Sequence, residues 1–369
     1  MKTGAKFLLL LAGLSLFISA CGSSGGGGNV PSQPQAPPPP IVYDYYVDNV
    51  NGDDDLNPGT ENAPFKTITH AISVAGTNKK IRVLPGTYDE THGEIFPLVL
   101  KTGQYLVGDT DPNTRGAGAP PTMIIGSGPV PGMADAAIRG ANNAKVSGFL
   151  IDNAYTAINV IDDGMEISYN TLYTHDGVRL KGDGDSVVKY NTFETANYGV
   201  YSEDACSSCP TIRNNRFLAM DIPIDIHTDA VIKDNIIKGS GTVGIRTSGH
   251  PRIEGNTFTA TDGYVDGAIF LYGPGSNPTI RGNTFDCKTA VRVDNGNPDL
   301  GTATDPGNND FSDITGVSLT HNGTADITAI GNTWPTHPHS TPLADTDILI
   351  TNKGSVKWGI NEADIYTAP

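Results

Sequence analysis

One short pattern recurs along this chain and constrains its fold more than any other feature: a β-branched residue, two spacers, an asparagine, one spacer and an apolar residue. It is clearest in Ile253-Glu-Gly-Asn-Thr-Phe258 and Ile280-Arg-Gly-Asn-Thr-Phe285, and it returns around Asn170, Asn191, Asn215 and Asn235. Weaker copies surround Asn309 and Asn332, and residues 146–151 fit with Phe149 in the asparagine place. From Phe149 onward the marks lie 21, 21, 24, 20, 21, 27, 26 and 23 residues apart. Self-similarity at this period is the mark of a solenoid.

A second motif between the asparagines decides which solenoid. It reads small, aliphatic, variable, aliphatic, as in Gly177-Val-Arg-Leu180, Pro223-Ile-Asp-Ile226 and Ala290-Val-Arg-Val293. Alternation over four or five residues is strand period, and no repeat carries a helical pattern. The expected fold is therefore all-β, a parallel β-helix in which each repeat is one coil of short strands. An asparagine in every coil suits a tight corner, because it tolerates left-handed backbone and its amide can bond its equivalent one coil away. A group repeated in every coil serves the scaffold rather than one active site.

The formal charge is −16, from 24 Lys and Arg against 40 Asp and Glu. A surface this acidic is unsuited to phosphate backbones, so no nucleic-acid partner is expected. Residues 1–20 read as a signal peptide: Lys2 and Lys6, an apolar run over 7–17, then Ile18-Ser-Ala-Cys21. That ending resembles the lipobox of bacterial lipoproteins, which implies lipidation at Cys21, a membrane anchor and a place in the cell envelope. Residues 21–41, rich in Gly and Ser and then in Pro, read as a tether. The β-helix is expected over 42–335, with a C-terminal capping segment over 336–369 and a monomeric state.

The N-terminal part has its own character. Tyr45-Tyr-Val-Asp48 reads as a strand and residues 63–75 as a short helix with Phe65, Ile68, Ile72 and Ala75 on one face, a cap for the open end of the solenoid. Asp48, Asn51, Asp53 and Asp55 between them are oxygen donors that can hold Ca²⁺, although acidic turns are commonly just solvated. No other cofactor is expected, since no phosphate loop, zinc spacing or serine elbow is present.

The run Tyr46-Val-Asp, Gly52-Asp-Asp, Asn57-Pro-Gly-Thr60, Ala63-Pro-Phe-Lys-Thr-Ile68, Ile81-Arg-Val-Leu-Pro-Gly-Thr-Tyr88 and Gly93-Glu-Ile-Phe-Pro97 resembles a family of unknown function among the pectin-lyase-like right-handed β-helices. The resemblance covers about residues 44–335. It implies the fold and leaves the activity open, because that superfamily contains lyases, hydrolases, epimerases, tailspikes and binding proteins.

Function must then be sought on the outward strand positions. With the aliphatic residues facing in, the first outward column reads Asn159, Arg179, Tyr201, Asp225, Arg246, Phe270, Arg292, Ser318. The second reads Ile161, Lys181, Glu203, His227, Ser248, Tyr272, Asp294, Thr320. Coils lie about 4.8 Å apart, so the columns form one strip. Aromatic faces beside carboxylates and an arginine suit a sugar ring, which makes a non-catalytic polysaccharide or glycan binder the leading expectation. A polysaccharide lyase or glycoside hydrolase is the alternative, with Glu203 and Asp225 as an acid/base pair or Arg246 or Lys181 as the base. A third reading is a structural or adhesive surface protein that binds another protein. The bland competitor to all three is a charge ladder that neutralises itself across coils. Cys206-Ser-Ser-Cys209 is expected to close a local disulfide, and Cys287 to pack as a free thiol.

Overall fold

The structure is a computed structural model describing residues 42–109, 121–128, 136–181, 184–202, 209–239, 241–260, 264–335, 342, 344–352 and 354–367. The expected signal segment, Cys21, the expected tether, Glu203 and Cys206 lie outside the described residues. The remaining chain from Val42 onward forms one compact unit.

The repeat becomes a right-handed parallel β-solenoid whose coils each lay one strand into each of three sheets, of ten, eleven and nine strands among the described residues. A representative coil places Glu166–Ser168 in the first sheet, Thr171–Tyr173 in the second and Asp176–Leu180 in the third. The chain then returns to the first sheet at Val187–Lys189, directly over Glu166–Ser168. Apolar residues of the repeat stack in register: Ile167, Val188, Ile212, Ile232, Ile253 and Ile280 line the first sheet, all fully buried. Leu172, Phe193, Phe217, Ile237, Phe258 and Phe285 line the second. Each such side chain contributes about 1.5–3 kcal/mol through burial. The phenylalanines also stack as rings, Phe193 on Phe217 at 4.7 Å and Phe258 on Phe285 at 4.9 Å.

The asparagines turn the corner between the first and second sheets and form an unbroken internal ladder. Each Nδ2 donates to the Oδ1 of the next, from Asn170 through Asn191, Asn215, Asn235, Asn256, Asn283 and Asn309 to Asn332, at 2.9–3.1 Å. Each also donates to a carbonyl of the preceding coil, as Asn235 does to Ile212. The backbone reason expected for the asparagine is corrected: the left-handed residue is the one before it. Tyr169, Tyr190, Asn214, Asp234, Gly255, Gly282, Asn308 and Gly331 carry positive φ. The asparagine itself is chosen for its amide, which satisfies corner groups that no strand partner reaches.

At the N-terminal end the helix is shorter than the 63–75 expected, spanning Ile68–Val74. Phe65 is instead extended and pairs with Val47, and Thr67 caps the helix by accepting from the His70 N–H. Glu94 reaches in from sequence-distant chain to accept from the N–H groups of Ile68 and Thr69 at 2.7 and 2.9 Å. At the other end the solenoid continues past Trp334. Ile348–Ile350 extends the third sheet beside Val317–His321, and Ser355–Lys357 stacks on Asp326–Thr328. Ile365–Thr367 then pairs antiparallel and closes that edge. The period was lost in sequence because the returning segment lacks the asparagine, while its strand pairing persists.

Candidate functional site

The third sheet holds the expected strip. Its first outward column is in register through Asn159, Arg179, Tyr201, Asp225, Arg246, Phe270 and Arg292. The last member is corrected: Arg292 faces Thr320, not Ser318. In that coil the inward pair is Leu319 and His321, so the outward positions move by two residues and Ser318 is buried. A histidine in a core position broke the aliphatic pattern on which the expectation rested.

Asp225 is the centre of the strip, with its side chain 6% exposed. Arg246 from the next coil donates Nε to Asp225 Oδ1 at 3.0 Å and Nη2 to Oδ2. Such a two-pronged contact is possible because strand register sets the two residues side by side, and the guanidinium fork matches the carboxylate. The bond to Asp225 raises the Arg246 pKa further above its already high ordinary value. Arg246 Nη2 also meets the Tyr198 hydroxyl at 3.3 Å, and its guanidinium lies 5.9 Å from the Tyr272 ring centroid. His227 sits beside the pair, its Nε2 3.7 Å from Asp225 Oδ1. Its Nδ1 lies 3.0 Å from Ser248 Oγ and 2.7 Å from the Tyr272 hydroxyl. Burial pushes the Tyr272 hydroxyl above its ordinary pKa, so it stays a donor.

One coil further on, Phe270 and Tyr272 lie with ring centroids 5.9 Å apart, and Arg292 stands 5.0 Å from the Phe270 ring. Arg292 also grips Asp294 with two bonds of 2.9 Å and reaches Asp266 at 2.6 Å. Partial burial opposes ionisation of Asp294, but the bonds from Arg292 and Asn322 outweigh it and hold the carboxyl below its ordinary range. Arg179 is half-buried and Lys181 exposed, both on the N-terminal side of the pair. Sequence reasoning missed Tyr198 and Asp266, which enter from outside the alternating positions, and Asn322, which falls in the second column only after the two-residue shift.

Chemically, Asp225 has both oxygens engaged by a cation, and Arg246 is a poor proton acceptor with its pKa raised. Of the expected acid/base pair, Glu203 lies outside the described residues. Partial neutralisation across coils is present, as in the competing charge-ladder expectation, and the aromatic faces beside the pairs lie against the same arginines.

The remaining candidates separate from the strip. The Asp48 carboxylate accepts from the Val50 and Asn51 backbones and the Asn51 amide, while Asp53 accepts from Asp55 and Leu56. These are turn-stabilising bonds, and the four expected calcium donors are not brought together: among the described residues no cluster of three or more His, Cys, Asp or Glu is arranged to hold a metal. Cys209 is exposed, and its expected disulfide partner is outside the described residues. Cys287 is buried with its thiol pushed up to about 12 by burial. Two concavities lie off the strip, one lined by Ile72, Ile95 and Pro97, the other by Pro306, Ile330 and Trp358. The first has almost no polar group aimed into it, and the Asp364 carboxylate of the second is taken by Asn361. The strip, with its convergent charges and rings, is the better site.

Coils and asparagine ladder together define a right-handed parallel β-solenoid. The chain belongs to the family described as protein of unknown function DUF1565, whose model matches residues 50–341. Among solved structures it is similar to the catalytic unit of a thermostable GH87 α-1,3-glucanase from Streptomyces thermodiastaticus, at 15% identity and a TM-score of 0.53. That match covers 82% of this chain and 67% of the glucanase unit. A family 28 exopolygalacturonase from Yersinia enterocolitica matches at 11% identity and a TM-score of 0.37, covering 79% of this chain and 75% of the other. No curated protein matches the sequence.

Proposed function

We propose that this protein binds a polysaccharide along the third-sheet strip without cleaving it, and does so from the cell envelope. The observation that carries the reading is the Asp225–Arg246 pair, locked in two-pronged contact and framed by the rings of Tyr201, Phe270 and Tyr272. A sugar presents an apolar ring face and a rim of hydroxyls, which suit the aromatic rings and the fixed charges respectively. A pair that already satisfies itself is a rigid surface for hydroxyls rather than a poised acid or base. Resemblance in fold to a glucanase catalytic unit is consistent with a glycan as the ligand class. In the same reading residues 1–20 direct export, Cys21 carries the lipid, the tether holds the body off the membrane, and the short helix covers the N-terminal end of the solenoid.

The experiment is to incubate the protein with neutral and acidic polysaccharides and record both retention and the appearance of reducing or unsaturated ends. Retention without new ends, surviving in Asp225→Asn, is the expected result. New ends that vanish in that variant would move the strip to a lyase or hydrolase. Neither retention nor product would leave the adhesive, protein-binding reading.

A further inference from the structure

The first sheet carries a second charged feature that the strip does not use. In its outward column Lys189, Arg213 and Lys233 face one another directly on three consecutive coils. Like charges placed opposite each other across strands repel, and this chain has a formal charge of −16, so a file of cations is against its general composition. The cations are only partly neutralised. Lys189 lies 3.0 Å from Glu166, which it shares with Lys145, and Lys233 lies 3.5 Å from the exposed Asp234 and faces Glu254 on the next coil, where the file of cations ends. Arg213 bonds the Tyr190 hydroxyl and the Asn214 side chain, and no ion pair of Arg213 with a carboxylate is found among the described residues.

An independent observation lies on the adjoining corner. Tyr169 and Tyr190, one coil apart, stack with centroids 5.1 Å apart and are 50% and 42% exposed. Both hold left-handed backbone, φ +58° and +56°, where equivalent corners of later coils use Asn, Asp or Gly. A bulky residue rarely adopts that conformation, so two exposed aromatics kept there point to a use for the rings. Arg213 extends the stack, its guanidinium 5.6 Å from the Tyr190 centroid.

We propose that Lys189, Arg213, Lys233 and the Tyr169–Tyr190 stack form a second binding face for a carboxylate-bearing polysaccharide, separate from the third-sheet strip. Cations repeat about every 4.8 Å, one per coil, as a linear polymer with regularly spaced acid groups requires. The rings supply the sugar-stacking surface that a bare charge patch lacks. A single file of cations on a strongly acidic body favours a thin chain over an anionic membrane, whose broad field would repel the rest of the molecule.

The test is affinity electrophoresis of the whole protein through polygalacturonate and, separately, dextran, with Arg213→Gln/Lys233→Gln and Tyr190→Leu. The double variant is expected to lose at least about tenfold in polygalacturonate affinity with a flatter salt dependence, and Tyr190→Leu severalfold, with dextran retention unchanged. Thermal melting checks that these changes leave the fold intact. Unchanged polygalacturonate retention in the double variant overturns the proposal, as does wild-type binding to phosphatidylglycerol vesicles with the same dependence on Arg213 and Lys233. Failure of the strip reading is separate: it is read from Phe270→Ala and Tyr272→Ala on the dextran arm.

Discussion

Arg246 reaches back one coil to hold both carboxylate oxygens of Asp225, so that two residues 21 apart in sequence become one two-pronged charge pair. The pair is an anchor for the strip rather than a spare acid. Arg246→Ala removes the partner of a carboxylate only 6% exposed and is expected to destabilise the protein by about 3 kcal/mol, measured by denaturant melts. Glycan retention should fall with it, because the ring faces of Tyr198 and Tyr272 lose the cation that spaces them.

The asparagine ladder predicts an effect without any surface change. Asn235→Ala leaves the Asn215 N–H without its acceptor and removes one bond each from the Asn215 amide, which keeps the Val188 carbonyl, and from the Ile212 carbonyl. A loss on the order of 2–4 kcal/mol is expected, read as a lowered melting temperature with unchanged glycan retention.

The residue before each ladder position sets the corner. Gly255 holds φ +62°, and a Cβ there would lie 2.7 Å from Asp234 Oδ1. Gly255→Val should therefore cost about 1–2 kcal/mol in backbone strain, and Gly255→Asn less, since Asn308 and Asn214 occupy that conformation in other coils. Paired melting curves of the two variants check the order.

His321 makes stability depend on pH. Burial lowers its pKa below the ordinary 6.5, against a 2.7 Å contact to the Ala325 carbonyl that favours the charged form. In the window just below 6.5 the unfolded chain binds more protons than the folded one, so stability is full above that window and falls as pH drops through it. His321→Gln should flatten melting temperature against pH between about 7 and 5.

Legibility followed the physics of each element. The asparagine and the aliphatic alternation exposed the coils because both repeat in every turn, and the outward columns followed from strand parity as far as Arg292. Parity failed where His321 took a core place and moved Thr320 into the column of Arg292. Tyr198 and Asp266 were invisible because they reach the strip from a strand end and a loop, where no period applies, and Asn322 because the shift at His321 was not foreseen. The basic file on the first sheet was equally hidden, since its members are 24 and 20 residues apart and acquire meaning only once register aligns them.

The sequence by itself determined the solenoid, its strand-by-strand alternation and the ladder, because local period and corner chemistry recur in each coil and leave one way to bury the apolar face. Only the tertiary structure decided which charges meet, that Arg246 takes both oxygens of Asp225, and that tyrosines rather than asparagines hold the left-handed backbone beside Asn170 and Asn191. Those contacts join residues one coil apart, and the distance between coils in sequence varies with loop length while their distance in space does not.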